Sequence, residues 1–294
     1  MGDISEQMKP PSRRHRHQRQ DPPPPMRLTE RDQDVIEAVY HYRVLSQGQI
    51  EQLLFTGTHR SVAQRRLSLL YDHGYLDRRF LPRIGGLVTS PILYLLGKKG
   101  SEYLLAHRGY DDIRWRPNDN SLGYEHIEHL LAVNTFRIEM TLACRMNNLP
   151  LQTWLDDTTL KQDYDRVNLP RSARPVAVIP DAYFHIITPK GDTHFFLELD
   201  RGTMTSKRFK RKVLAYIAYA SSGLAEKRFG TTKFRVLTVT ESEKRAENLK
   251  VATEGVGGKR RFWFGTLETL TAEAILTEPV WMVAGREERV ALLQ

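Results

Sequence analysis

His59-Arg-Ser-Val-Ala-Gln-Arg-Arg-Leu-Ser-Leu-Leu-Tyr-Asp-His-Gly-Tyr-Leu-Asp-Arg-Arg-Phe80 decides the fold of the first half of this chain. Val62, Leu67, Leu69 and Leu70 recur at helical spacing and predict a helix from about His59 to Asp72. Arg60, Gln64, Arg65, Arg66 and Ser68 populate the rest of its surface. Gly74 stops it, as glycine does just past a helix end. Tyr75 to Leu81 then reads as extended, and Pro82 and Gly85-Gly86 lead to a second extended run, Pro91 to Leu96. Upstream, Thr29 and Asp32 form a capping-box-like start for a helix carrying Val35, Ile36, Val39 and Tyr40. A second helix begins after Ser46, with Ile50, Leu53 and Leu54 on one face. A short helix through Tyr103 to His107 follows Gly97-Lys98-Lys99-Gly100. Three helices and a two-stranded wing are the layout of a winged helix-turn-helix, assigned to residues 27–108. Such bundles also dock proteins. The third helix tips the reading toward DNA, because Arg60, Gln64, Arg65 and Arg66 suit guanine, adenine and phosphate contacts in a major groove. Arg78, Arg79 and Arg83 in the wing would lie along the flanking backbone.

Charge points the same way. The 294 residues hold 44 Lys and Arg against 35 Asp and Glu, a net charge of +9. Residues 1–116 carry 19 basic and 13 acidic side chains, so the excess is concentrated there. Such a balance favours a polyanionic partner. The single cysteine, Cys144, excludes an internal disulfide and a multi-cysteine zinc site, and a reduced, cytoplasmic setting is the default. No run approaches the length of a membrane helix, and the start has no apolar signal-like core. Residues 1–26 read as a disordered basic, proline-rich tail, with Arg13, Arg14, Arg16 and Arg19 ahead of Pro22 to Pro25.

Residues 109–121 are polar and read as a linker. A second domain, 122–294, opens with a long helix from Tyr124 to Asn147. Leu151 to Leu155 reads as a strand. Ala182 to Ile187 and Thr193 to Asp200 read as a hairpin turning at Pro189 to Asp192. A helix from Ser206 to Ser221, a strand at Phe234 to Val239, a helix from Ser242 to Thr253, a strand at Arg261 to Phe264 and a last helix near Leu267 complete it. The fold class expected is therefore two-domain: an α+β winged helix, then an α/β domain with a restriction-endonuclease-like mixed sheet flanked by helices.

The hairpin carries the sharpest constellation. Glu198 and Asp200 alternate with Leu197 and Leu199, so the two carboxylates share one face. Asp181 opens the partner strand at the same end. Three carboxylates converging on a sheet edge suit Mg²⁺ or Mn²⁺. A basic run follows: Arg201, Lys207, Arg208, Lys210, Arg211 and Lys212, with no acidic residue among them. These cations either hold a phosphate backbone or neutralise the acidic cluster as ion pairs. His126 and His129 share a helix face, but the zinc-protease spacing is absent. No Walker-type loop or GxSxG elbow is present.

Pro180-Asp181 followed by Glu198 resembles the PD-(D/E)XK nuclease superfamily. There the aspartate and glutamate hold a metal and a lysine two residues beyond the glutamate helps activate water. Asp200 stands at the lysine's position here, which leaves Lys207, Lys210 or Lys212 to supply the charge. More broadly, the chain resembles the replication-relaxation proteins of plasmids and integrative elements over roughly residues 28–240. The carrying segments are Leu28-Thr29-Glu30-Arg31-Asp32, Arg65-Arg66-Leu67 with Leu70, Gly74-Tyr75-Leu76, His129 to Asn134, Pro180-Asp181, Glu198-Leu199-Asp200-Arg201-Gly202-Thr203, and Lys212 with Tyr216.

The resemblance implies a DNA-binding protein of a mobile element, acting in its replication, relaxation or regulation. Its nuclease-like domain would be degenerate at Asp181, Glu198, Asp200 and Lys212. Arg60, Gln64, Arg65, Arg66, Arg78, Arg79, Lys207, Arg208, Lys210 and Arg211 are the expected DNA contacts. Double-stranded DNA is the expected partner, with a homodimer and replication or transfer proteins as further partners and no membrane. Two alternatives stand beside it. One is a Mg²⁺- or Mn²⁺-dependent endonuclease or nickase with Asp181 and Glu198 as metal ligands. The other is a winged helix that docks protein.

Overall fold

The computed structural model describes residues 18–81, 90–113, 115–170 and 172–293. Arg13, Arg14 and Arg16 of the tail and Arg83 of the wing lie outside them. The chain divides into two compact units that meet at Tyr124 and Glu125.

The first unit runs α1 (Glu30–Tyr42), β1 (Leu45–Ser46), α2 (Gln47–Leu54), α3 (Arg60–Asp72), β2 (Leu76–Phe80), β3 (Ile92–Leu96) and α4 (Lys98–His107). Its strands pair antiparallel in the order β1-β3-β2, so it is a winged helix. Reciprocal capping boxes start the first two helices, Thr29 with Asp32 and Ser46 with Gln49. Val35, Ile36, Val39, Ile50, Leu67, Leu70, Leu93 and Leu104 form the core. Ala63, Leu67 and Leu70 give α3 its buried stripe, while Val62 is 43% exposed. The expected stripe was therefore one residue off at its first position. The i, i+4, i+7 spacing of 63, 67 and 70 keeps one face toward the core.

Gly97 and Gly100 let the start of α4 sit directly on the turn after α3. A Cβ on Gly97 would strike the Gly74 carbonyl oxygen, and one on Gly100 would strike that of Tyr75. No larger side chain fits there.

Two segments differ from their sequence reading. Residues 18–26 are not a free spacer. Arg19 pairs with Asp77 and stacks 4.5 Å from the centre of the Tyr71 ring. The Gln20 amide donates to Asp72 at 3.1 Å, and His73 Nε2 donates to the Pro24 carbonyl at 2.7 Å. A proline-rich stretch has no core of its own, and here it borrows partners from α3 and β2. Within the linker, Tyr110 and Asn120 also bond to this unit. Asn120 Nδ2 donates to Asp77 and to the Leu96 carbonyl, both at 2.9 Å, and Tyr110 donates to Glu37 at 2.8 Å.

The second unit is layered. Its elements are α5 (Tyr124–Met146), β4 (Leu151–Asp156), α6 (Asp157–Gln162), β5 (Arg166–Val167), β6 (Val176–Ala177), β7 (Ala182–Thr188), β8 (Gly191–Asp200), α7 (Ser206–Ser221), α8 (Leu224–Phe229), β9 (Phe234–Thr240), α9 (Glu243–Glu254), β10 (Phe262–Thr266) and β11 (Met282–Val283). Six strands form a mixed sheet in the order β11-β10-β9-β8-β7-β4. β4, β7 and β8 are an antiparallel meander, whereas β8, β9 and β10 run parallel through helical crossovers. One face buries Phe184, Phe195, Leu197 and Leu199 against Val133, Phe136 and Met140 of α5. The other buries Tyr183, Phe196, Val236 and Phe264 against α7 and α9.

The helix expected near Leu267 does not form. Residues 267–279 make successive turns, with Leu270 bonded back to Thr266, Ile275 to Thr271 and Glu278 to Ala274. Leu270, Ile275 and Leu276 each bury at the sheet, which holds the segment to the surface without a continuous ladder. Among the described residues no helix is long and apolar enough to cross a membrane.

Candidate functional site

In the first unit, α3 sorts its cations by direction. Arg66 turns inward. Its Nε donates to Asp32 at 2.9 Å, and its Nη2 pairs with the same carboxylate and with the Arg27 carbonyl. Asp32 is fully buried, so Arg66 supplies the charge that lets it remain the N-terminal anchor of α1. Arg60, Gln64 and Arg65 point to solvent. Arg60 is 77% exposed and only loosely paired to Glu51 at 3.6 Å.

Arg78 and Arg79 of the wing are occupied. Arg78 donates to Ser68 at 2.8 Å and stacks on Tyr71 and Tyr94. Arg79 donates to the carbonyls of Asn120 at 2.9 Å and Leu122 at 2.7 Å. Of the six cations and polar groups expected at DNA in this unit and described by the structure, Arg66, Arg78 and Arg79 thus bind protein, while Arg60, Gln64 and Arg65 are exposed.

In the second unit the carboxylates gather where β7 begins and β8 ends. Ala182 pairs with Leu197, and the Asp181 amide donates to the Leu197 carbonyl at 2.9 Å, which brings Asp181 beside Glu198. Asp181 accepts from the Leu199 amide at 2.7 Å and from His129 Nε2 of α5 at 3.1 Å. Glu198, 4% exposed, accepts from the Tyr216 hydroxyl at 2.6 Å and pairs with Lys212. Lys212 and Tyr216 are four apart on α7, so one helix face delivers both. Asp200 goes elsewhere. It pairs with Arg245 of α9 at 2.6 Å and accepts from the Gly202 amide at 3.2 Å. Arg201 bridges Glu128 and Glu241. The expected trio is therefore a pair, Asp181 and Glu198, with Asp200 held apart in its own ion pair.

Electrostatics follow from this wiring. Burial pushes the Glu198 carboxyl up; the Lys212 ammonium opposes that and Asp181 adds to it. Burial alone would depress the Lys212 amine, but Glu198 and Asp181 outweigh it and raise it. Burial likewise works against the Asp181 charge, and His129, Lys212 and the Leu199 amide overcome it, leaving its carboxyl below the usual range. Asp181 in turn raises His129. Tyr216 is held well above its ordinary value by burial beside Glu198.

All six oxygens of the three carboxylates therefore have a protein donor. Among the described residues no group of three or more His, Cys, Asp or Glu side chains is arranged to hold a metal ion. A Mg²⁺ or Mn²⁺ ion held through one or two of these carboxylates would compete with the protein donors for the same oxygens.

Sequence reasoning missed Arg245 and the roles of His129 and Tyr216. Only Tyr216 carried a local signal, its four-residue spacing from Lys212.

A family model described as replication-relaxation matches residues 36–234, more than half of the chain. The chain belongs to the replication-relaxation family. The match runs from within α1 to the first residue of β9, so it takes in most of the winged helix and the carboxylate pair of this replication-relaxation protein. Among the curated proteins none matches it in sequence. Two solved structures are similar in part. Restriction endonuclease FokI is 12% identical, with 81% of this chain and 43% of that chain covered and a TM-score of 0.26. Restriction endonuclease FokI bound to DNA is 12% identical, with 84% and 45% covered and a TM-score of 0.22. The chain spans less than half the length of those proteins, and likeness at these scores supports no inference about activity.

Proposed function

We propose that this replication-relaxation protein is a DNA-binding protein of a plasmid or mobile element, acting on duplex DNA through its winged helix. The observation that carries the reading is the sorting of side chains on α3. The cation that the fold needs, Arg66, is paired, and Arg60, Gln64 and Arg65 are left exposed on the helix that enters the major groove in this fold class. Arginine and glutamine are the side chains that address guanine and adenine edges, and arginine also holds phosphate. Two copies reading two half-sites is the arrangement that suits such a module, with replication or transfer proteins as further partners and the cytoplasm as the setting. In this reading Asp181, Glu198 and Asp200 serve the fold of the second unit through their ion pairs.

The test is fluorescence anisotropy of full-length protein on labelled duplex at several salt concentrations. Arg60→Ala with Arg65→Ala is expected to weaken binding and to lower the salt slope by about 2 if both contact phosphate. Affinity unchanged at every salt concentration refutes it, and no affinity above a non-specific background favours a protein-docking role for the winged helix.

One observation favours a second reading, a metal-dependent nickase. Lys212 reaches Glu198 from α7, at the site where the nuclease resemblance calls for a lysine. The occupied carboxylate oxygens weigh against it. Supercoiled plasmid incubated with Mg²⁺, Mn²⁺ or EDTA separates the two: the DNA-binding reading expects retardation without open circles, unchanged by Asp181→Ala. Metal-dependent nicking that Asp181→Ala abolishes would reverse the ranking.

A further inference from the structure

The basic run on α7 is left unexplained by the winged helix. The sequence Ser206-Lys-Arg-Phe-Lys-Arg-Lys-Val-Leu-Ala-Tyr-Ile-Ala-Tyr-Ala-Ser221 contains five cations in its first seven residues and no acidic residue at all. Two rules of helix stability are broken together. Cations in the first turn oppose the positive end of the helix dipole. Lys207 with Lys210 and Arg211, and Arg208 with Arg211 and Lys212, are like charges three and four residues apart, which repel.

Among the described residues, one of these cations has a counter-charge. Lys212 pairs with Glu198. Among the described residues no ion pair engages Lys207, Arg208, Lys210 or Arg211. The nearest partner is neutral, Ser172 Oγ at 3.4 Å from Arg211 Nη2. Lys207, Arg208 and Arg211 are exposed and Lys210 is half-buried. The helix holds because its opposite face is anchored: Phe209, Val213, Tyr216 and Tyr219 are each 3% exposed or less. Its local sequence works against it, and local conflict of this kind marks functional surface.

We infer that the outer face of α7 is a second nucleic-acid contact, binding the phosphodiester backbone through Lys207, Lys210 and Arg211 without reading sequence. The inference rests on the DNA-binding reading only for its choice of ligand. Charge complementarity selects a polyanion. The face argues for nucleic acid over a lipid surface, because its one sizeable apolar side chain is Leu214, 37% exposed, and it lacks the aromatic and aliphatic wedge that an interfacial helix inserts.

The test measures the salt dependence of full-length protein binding to a labelled duplex of scrambled sequence. Lys207→Ala, Lys210→Ala and Arg211→Ala are combined in one variant. The salt slope is expected to fall by about 2 to 3, because each lost phosphate contact removes close to one unit. Removing mutual repulsion should leave the melting temperature equal or higher; if it falls, Lys207→Gln with Arg211→Gln carries the test, with a slope change of about 2.

Arg60→Ala with Arg65→Ala is run beside it. An unchanged slope in the α7 variant while the α3 variant weakens binding overturns this inference and spares the winged-helix reading. The converse result supports this inference and refutes the other. Vesicles of equal parts phosphatidylserine and phosphatidylcholine form a third arm. Vesicle binding lost in the α7 variant, with the DNA slope intact, overturns the inference in favour of a membrane surface.

Discussion

Helices α3 and α7 belong to different units, yet they are built alike. Each carries a dense run of cations with no acidic residue in its first turn. Each turns one cation inward onto a buried carboxylate contributed by another element: Arg66 onto Asp32, Lys212 onto Glu198. Each leaves the others facing water. The difference lies in what the inward cation holds. Arg66 secures a capping residue, so its loss reaches α1. Lys212 sits between two acids and shares its carboxylate with Tyr216, so its loss leaves Asp181 and Glu198 facing each other. A run of basic residues in a sequence is thus two populations, one that stabilises the fold and one that is free to bind.

The largest effects should separate those populations by stability. Arg66→Ala and Lys212→Ala each leave a buried carboxylate without its partner and should each cost roughly 3 kcal/mol in urea unfolding. A cost near zero for either would break the comparison. A smaller effect sharpens it: Tyr216→Phe removes one hydrogen bond from Glu198 and should cost about 1 to 2 kcal/mol while leaving the Lys212 pair in place. The smallest changes belong to the outward set. Arg65→Ala and Lys210→Ala should each shift stability by no more than about 0.5 kcal/mol, and their consequences should appear in DNA binding alone. A large loss of stability from either would show that the sorting by direction is wrong.

Much of the winged helix and of the β7–β8 hairpin was legible because their signals are local. Thr29 and Asp32 lie three residues apart, Gly74 ends α3, and the alternation of β8 placed Glu198 and Asp200 on one face. The partners of the charged residues were not legible, because they come from distant parts of the chain. Arg66 and Asp32 are 34 residues apart, and Lys212 and Glu198 are 14 apart. Arg66 was expected at DNA for that reason: composition shows a cation but not the acid behind it. Asp200 shares a face with Glu198, but its Arg245 partner on α9 depends on a crossover that no periodicity encodes. Residues 18–26 were misread in the same way. Their prolines argue against a core of their own, but they do not say whether Asp72, His73 and Asp77 are there to receive the segment.

The register of the β7–β8 hairpin also bears on how it is held to α7. Its strands are joined by a turn of two residues, Pro189 and Lys190, so its pairing is local in the chain and closes at little entropic cost. Closure puts Asp181 and Glu198 side by side, and the ammonium that offsets their charge comes from outside the hairpin, on α7. The hairpin and the helix are thus coupled through one buried ion pair. Lys212 acts as a latch between them, and what loosens α7 should loosen the open end of the hairpin with it.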